Sequence, residues 1–291
     1  QNGTLIKTGS GTLHLDTETI IGEGDGVWQN ILGGTLIFGG GSEAPWVDWT
    51  AINKTNGGGN LELRKITDYD ENFESVAWLP TNYNVGAGTI TLNDTGPVLV
   101  TNDFVKTGNG TLVFGNGLAF HGTNDIYVNG GTMYVRNETN IFYQGTAVAF
   151  HGDITINSDA TFIAQQDFNA NQQLGTTNGI TVVNHTGRLI FQSMTNNTTY
   201  NEHITLNSTR TDGSLWLDQA EVVLNGPITL GTNTIINTRM ANNIRRDVTI
   251  SGTIDDGAGN YNLVLIGQNT GQQSTNYLER SRLFLTGSNT Y

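Results

Sequence analysis

The stretch Val105-Lys106-Thr107-Gly108-Asn109-Gly110-Thr111-Leu112 repeats, with two changes, the earlier stretch Ile6-Lys7-Thr8-Gly9-Ser10-Gly11-Thr12-Leu13. In both stretches an apolar strand end meets Lys-Thr, a Gly-x-Gly turn reverses the chain, and a new strand begins. A parallel β-helix needs such a corner once per coil, because each strand must turn tightly before it stacks on the equivalent strand of the next coil. The repeated corner therefore predicts a β-solenoid.

Short strand-like runs recur along the rest of the chain, for example at residues 33–38, 88–92, 130–135, 187–191 and 213–217. They alternate apolar and polar residues, and Gly, Asn or Asp stands at their ends. Similar strand starts return at intervals of roughly 20 to 25 residues, which is typical of a solenoid repeat. No helical period persists over a dozen residues, so the sequence predicts an all-β chain.

The strand pattern also predicts a core. The apolar residues of the repeating strands are expected to point into one continuous core, and the predicted set is Leu13, Leu36, Leu112, Phe114, Met133 and Leu189. The intervening Thr and Asn side chains are expected to face solvent or to form ladders with their equivalents on neighbouring coils.

The composition supports this fold and excludes several functions. Gly, Thr and Asn, with 38, 42 and 35 residues of 291, all disfavour helices. With 13 basic and 26 acidic side chains the net charge is −13, which disfavours a nucleic-acid partner. The chain has no cysteine, which excludes disulfides, thiolate metal sites and a cysteine nucleophile.

The chain begins at Gln1 and has no apolar stretch long enough to span a membrane. We therefore expect a mature or excised segment of a larger polypeptide, with no membrane span in this segment.

A family resemblance rests on the two octets and on Leu283–Tyr291, which reads Leu-Phe-Leu-Thr-Gly-Ser-Asn-Thr-Tyr. Together they resemble the passenger-associated transport repeat, also called the autotransporter-associated β-strand repeat. The octets keep the front half of that pattern and the last stretch keeps its back half. Residues 16–19 depart from the pattern in the first copy, and residues 279–282 depart from it in the last.

The resemblance implies a right-handed β-helical segment of a large bacterial surface or autotransporter-like protein, and it implies no active site. Right-handed winding is also what parallel crossover connections favour. We expect residues 1–41 to form the first coils, 42–84 an irregular excursion packed on the solenoid, and 85–291 the main β-helix, continuous with 1–41 as a single domain. Within the excursion, a short helix is predicted from about Pro45 to Ile52.

The excursion is the candidate recognition site, because four of the five tryptophans lie at or near it. Flat aromatic faces suit sugar rings and protein surfaces. The candidate binding residues are Trp46, Trp49, Trp78 and Tyr69. The alternative is that these rings form a satellite core. It is favoured because an irregular segment must bury apolar surface to stay ordered.

Two acidic stretches superficially resemble calcium loops, but neither completes the ligand pattern. Residues 68–74 have Phe73 where the loop needs glycine, and Leu79 stands where the closing glutamate belongs. Residues 255–260 occur once, whereas calcium-binding β-rolls need neighbouring copies. A solvated loop and a turn are the favoured interpretations, so no metal is predicted.

His121 and His151 share an Ala-Phe-His-Gly context 30 residues apart and could stack on adjacent coils. The two imidazoles could then bind a metal or form a ladder, and we favour the ladder. No Gly-x-Ser-x-Gly motif is present. Candidate carboxylate pairs are Asp153 with Asp159 and Asp212 with Asp218, but most solenoid carboxylates are surface charges. We predict neither enzymatic activity nor a cofactor.

The sequence thus predicts a non-catalytic extracellular segment that is structural or adhesive: a stalk, a fibre or an autotransporter-like passenger. Expected partners are other copies or neighbouring segments of the same protein, end to end or laterally, and surface polysaccharide. The uncharged stretch 3–6 and the stretch 282–285 are predicted edge strands able to pair. The rival hypothesis is a secreted or phage-tailspike polysaccharide lyase or hydrolase, which would gather three or more charged side chains in a cleft.

Overall fold

The computed structural model describes residues 6–15, 26–27, 31–39, 51–54, 58–64, 67–69, 75–77, 81–93, 98–99, 103–114, 120–121, 123–137, 152–166, 174, 179–192, 198–218, 220–240, 247–269 and 282–290. The chain divides into two compact units, Gln1–Ala149 and Phe150–Tyr291. No helix occurs within these ranges, and none of them forms a helix long and apolar enough to cross a membrane.

Unit 1 contains fifteen described strands. They are β1 (Thr12–Leu15), β2 (Gly26–Val27), β3 (Thr35–Gly39), β4 (Ala51–Lys54), β5 (Asn60–Arg64), β6 (Thr67–Tyr69), β7 (Ser75–Ala77), β8 (Asn82–Val85), β9 (Thr89–Asn93), β10 (Val98–Leu99), β11 (Phe104–Thr107), β12 (Thr111–Phe114), β13 (Phe120–His121), β14 (Ile126–Val128) and β15 (Gly131–Asn137).

Unit 2 contains fourteen described strands. They are β16 (Ile154–Ile156), β17 (Ala160–Gln166), β18 (Ile180–His185), β19 (Arg188–Gln192), β20 (Thr198–Tyr200), β21 (His203–Ser208), β22 (Leu215–Asp218), β23 (Val222–Leu224), β24 (Ile228–Leu230), β25 (Thr234–Met240), β26 (Val248–Ile250), β27 (Ile254–Asp255), β28 (Leu263–Asn269) and β29 (Leu283–Leu285).

The strands of unit 1 stack in two parallel sheets. One sheet has the order β1-β3-β5-β9-β12-β15 and the other β2-β4-β8-β11-β14. A parallel pair, β10 with β13, adds a third position, and β6 with β7 forms an antiparallel pair. Sequence neighbours such as β11 and β12 lie in different sheets, so the chain winds from one sheet to the next in each coil.

Unit 2 repeats this arrangement with three parallel sheets. Their strand orders are β17-β19-β22-β25-β28, β16-β18-β21-β24-β27 and β20-β23-β26-β29. Leu112 in unit 1 lies between Ile90 and Met133, which gives the coil length of about 22 residues that the sequence predicts. The predicted parallel β-helix is confirmed.

The core consists of columns of in-register apolar side chains. In unit 1, Leu36, Leu61, Ile90, Leu112 and Met133 form one column and are fully buried. Phe114 and Leu189 are buried as well, as predicted. Leu13 pairs with Leu36 but is only half-buried, because β1 is the outermost described strand of its sheet.

Polar ladders run beside the core columns, as the sequence predicts. The Asn184 amide donates to Asn157 at 3.2 Å, and the Asn207 amide donates to Asn184 at 3.1 Å. On another corner, Asn225 donates to Asn201 at 2.8 Å. Each bond joins one coil to the next, so the many asparagines stabilise the stacking.

The Gly-Gly corner before β15 owes its second glycine to close backbone approach. Gly131, which begins β15, has φ +59°, a conformation that costs other residues steric strain. A Cβ at this position would stand 2.6 Å from the Gly108 carbonyl oxygen of the preceding corner. Only glycine lets successive corners pack this closely.

The expectation of an irregular excursion over 42–84 is wrong for part of that range. β4 pairs with β8, and β5 lies between β3 and β9, so these strands belong to the coils. The predicted helix from about Pro45 to Ile52 is wrong at its end, because Ala51 and Ile52 lie in β4. Asn60–Arg64 alternates buried and more exposed residues, as a strand buried on one face does. This local pattern, and not the altered spacing from the neighbouring strands, decides its structure.

Residues 45–50 lie outside the described ranges, so the remainder of the predicted helix stays a prediction. The same holds for the continuity of 1–41 and 85–291 as a single domain.

Candidate functional site

A lysine side chain fills the corner that follows β11. Lys106 has no exposed surface, and its ammonium donates to the carbonyl oxygens of Gly108 at 2.6 Å, Gly110 at 2.7 Å and Gly130 at 2.7 Å. Gly108 and Gly110 belong to the corner of the same coil, and Gly130 belongs to the next corner. The ammonium therefore joins two successive coils.

The other copy of the octet forms a similar arrangement, in which Thr8 replaces the equivalent of Gly110 as one of the three acceptors. Nζ of Lys7 lies 2.9 Å from the Thr8 oxygen, 3.1 Å from the Gly9 oxygen and 3.1 Å from the Gly33 oxygen of the next coil. The sequence repeat thus encodes one corner design twice, and its lysine is a structural residue of that corner.

A third buried lysine, Lys54, escapes the octet pattern. Its ammonium donates to the Ala87 oxygen of the next coil at 2.5 Å. The segment between Lys54 and the following strand, which begins at Asn60, is one residue longer than in the octets, and this length difference hides the match. The Lys-Thr dipeptide followed by Gly57–Gly59 is the signal that could have found it.

Burial dominates the electrostatics of these corners. It lowers the pKa of Lys106 to about 8 and also lowers the pKa of Lys54. Lys106 still holds its proton at neutral pH, and each of its three N–H groups has a carbonyl acceptor. The Lys54 and Lys106 side chains are shielded from solvent, so their hydrogen bonds serve the stacking of coils.

Asp212, one of the candidate catalytic carboxylates, is a hydrogen-bond hub in the loop before β22. Its carboxylate accepts from the guanidinium groups of Arg188 and Arg210, the latter at 2.8 Å. Its carbonyl oxygen accepts from the Trp216 indole at 2.7 Å and from the Asn237 amide at 3.0 Å. The hydrogen bonds from Arg188, Trp216 and Asn237 thus fasten this loop to the sheet, and the one from Arg210 lies within the loop.

The carboxylate of Asp212 is kept ionised by its two arginine partners. Partial burial alone would raise the pKa of its carboxyl, but the hydrogen bonds and charges of Arg188 and Arg210 hold the pKa below its usual value. The Arg188 guanidinium also stacks on the Trp216 ring, with its carbon 4.0 Å from the ring centroid. An ionised carboxylate shared by two arginines is a poor general acid.

The other candidate carboxylates also have structural partners. Asp218 accepts from the Gln192 amide at 3.3 Å. Asp153 accepts from the Ile180 backbone N–H at 2.9 Å, and Asp159 accepts from the Thr186 hydroxyl at 2.9 Å. These bonds tie strand starts and turns to the next coil.

The aromatic candidates fall on parts of the chain that the structure does not describe. Trp46, Trp49 and Trp78 lie outside the described residues, and for Tyr69 only its place in strand β6 is described. Recognition by these rings therefore stays a prediction, and so does the satellite core.

The predicted turn at residues 255–260 is confirmed. The Gly259 N–H donates to the Asp256 carbonyl at 3.0 Å, while the side chains of Asp255 and Asp256 accept from the backbone N–H groups of Gly257 and Tyr261. These carboxylates fold the chain back on itself. Within the described ranges no group of three or more His, Asp or Glu side chains is placed to hold a metal ion.

The other metal candidates remain predictions. Of the stretch 68–74, residues 70–74 lie outside the described part of the chain. His121 lies in β13, but His151 is not described, so the stacking of the two imidazoles is untested.

Comparison with known proteins adds no family assignment: no family model matches the chain, and no curated protein or solved structure is significantly similar to it. The resemblance to the passenger-associated transport repeat stays a prediction.

Proposed function

We propose that this chain is a non-catalytic, extracellular structural or adhesive segment of a larger bacterial surface protein, such as a stalk, a fibre or an autotransporter-like passenger. The observation that carries the proposal is the corner lysine. Lys106 is buried and charged, and all three of its donors bind corner carbonyls of two successive coils.

Burying an ammonium is costly unless its hydrogen bonds are satisfied. Here the buried ammonium is that of Lys106, which has no exposed surface for a ligand to contact. The asparagine ladders and the arginine-bound Asp212 likewise bind neighbouring coils or loops. Polar groups devoted to coil stacking favour a protein selected for a durable, regular scaffold.

Self-association end to end is part of this proposal. β28 pairs with β25 along one edge, and no described residue pairs with its other edge. Leu265 stands in register with the fully buried Ile236 yet is 47% exposed, and its neighbour Val264 is 46% exposed. An apolar strand with a free edge pairs readily with another chain, and we propose a second copy of this chain as its occupant.

Sedimentation velocity of the chain over a range of concentrations tests the assembly. We expect larger species to grow with concentration and Leu265→Lys to suppress them, because a charge at this edge opposes strand pairing. Thr205→Lys, at a half-buried position of β21 that is paired with β18 on one side and β24 on the other, is the matched control and should leave assembly unchanged. A chain that stays monomeric at every concentration, or equal suppression by both variants, contradicts end-to-end pairing.

A panel of acidic and neutral bacterial polysaccharides tests the non-catalytic role. Binding and the release of new chain ends are both measured. We expect binding without cleavage, weakened by Trp46→Ala and Trp49→Ala with little change in melting temperature. Cleavage of any polysaccharide would contradict the proposal and favour a lyase or hydrolase. A large fall in melting temperature without a change in binding would place these tryptophans in a satellite core.

A further inference from the structure

One corner of unit 2 departs from an otherwise regular pattern at two positions. The first position faces the core, in the column Ile154, Thr181, Ile204, Ile228 and Ile254. Thr181 alone interrupts a run of isoleucines and is fully buried. A hydroxyl in an isoleucine column needs a hydrogen-bond partner, since an unpaired buried polar group is costly.

The second position precedes the first by two residues in each coil. Its column, read from the same register, is Gly152, Gly179, Glu202, Gly226 and Gly252. Glu202 alone replaces glycine, and it is only 2% exposed. Two neighbouring columns are therefore interrupted on adjacent coils.

The two exceptions meet inside the solenoid. The Thr181 hydroxyl donates to Oε1 of Glu202 at 2.7 Å. The second oxygen, Oε2, is buried and has no hydrogen-bond partner within the described ranges. A carboxylate with one unsolvated oxygen is far less stable here than a neutral carboxylic acid.

Among the described residues, no basic side chain is placed to offset a negative charge on Glu202, and its neighbours in sequence do not either. Asp153 on an earlier coil carries a charge of the same sign, and Tyr200 is a buried, neutral phenol whose pKa burial raises. His203, the next residue, has its ring Nε2 2.8 Å from the Thr229 hydroxyl. Burial raises the pKa of Glu202 to about 8; the Thr181 hydrogen bond lowers it, and Asp153 raises it further.

Glu202 is too deeply buried to act on a substrate, so acid catalysis does not explain it. We propose that the Glu202–Thr181 pair is a proton-controlled weak corner in unit 2: the corner stays closed while the Glu202 carboxyl carries its proton, and it opens when the proton is lost. Unit 2 would then loosen at one defined coil as the surroundings become alkaline.

The sign of the pH dependence follows from protonation. The carboxyl holds its proton to about pH 8 in the folded chain but only to about pH 4.5 when unfolded, so the folded state binds more protons between these limits. The stability that Glu202 contributes is complete below about pH 4.5 and is lost as the pH rises toward about 8. Lys106 keeps its proton in both states through most of this window and titrates in the folded state only near its upper limit.

Melting temperatures of the full chain from about pH 5 to about pH 8 test the proposal, with Glu202→Gln as the main variant. We expect the wild-type melting temperature to fall by several degrees relative to Glu202→Gln across this range, because glutamine keeps the shape and cannot ionise. Asp153→Asn retains the oxygen that accepts from Ile180 but removes the charge that raises the pKa of Glu202, so the decline should be smaller and should end at lower pH than in the wild type.

The double variant Thr181→Ile with Glu202→Gly restores both columns and is the second test. It should fold and show the same flat profile as Glu202→Gln. Hydrogen exchange is measured over the same pH range and corrected for the intrinsic rate at each pH. The amides of Ile204 and Gly226 should lose protection as the pH rises in the wild type, and in neither variant. Parallel melting profiles of the wild type and Glu202→Gln, or uniform loss of protection across unit 2, would overturn the proposal.

Discussion

Replacing Lys106 with methionine is expected to lower the free energy of unfolding by about 3–5 kcal/mol, because each buried carbonyl oxygen that loses its donor costs about 1–3 kcal/mol. Methionine fills a similar volume, so the loss comes from the hydrogen bonds themselves: the carbonyl oxygens of Gly108 and Gly130 lose the ammonium donor, and that of Gly110 keeps only the Thr132 N–H. Urea unfolding followed by circular dichroism measures the change.

Lys7→Met is the matched control, because the same chemistry stands at a less enclosed corner. Lys7 is 7% exposed, and its three hydrogen bonds are longer on average, at 2.9, 3.1 and 3.1 Å. Water can reach the carbonyls there, so we expect a loss of about 1–2 kcal/mol. Equal effects of the two substitutions, or a Lys106→Met variant as stable as the wild type, would show that the ammonium does not hold the coils together.

Replacing Leu112 with alanine should cost about 2–5 kcal/mol, the usual range for removing a buried leucine side chain. Leu112 is fully buried in its column between Ile90 and Met133. These two side chains are held in place by their own strands and leave little room for collapse into the cavity. Leu13→Ala, made in the same column where the leucine is only half-buried, should cost clearly less. The prediction fails if both alanine variants unfold at the same urea concentration.

Much of the fold follows from local sequence. Thr89–Asn93 alternates polar and apolar residues after a Gly-x-Gly turn, and such a run can bury one face only as a strand. The repeat length then sets which strands stack, so the partners of Leu112 are predictable. The repeat pattern misses a corner whose length differs, such as the one after Lys54. A comparison at fixed spacing requires equal corner lengths, whereas the coils stack without them.

The strands, the glycine corners and the core columns are predictable from the sequence, since they depend on periods of two residues and of about one coil. The roles of the polar exceptions are visible only in the folded chain. Lys106 reads as a surface cation until its ammonium is seen among carbonyls of two coils, and Glu202 meets Thr181 only because residues 21 positions apart are brought within 2.7 Å. Contacts between coils depend on the length of every intervening loop, and local preferences do not encode that length.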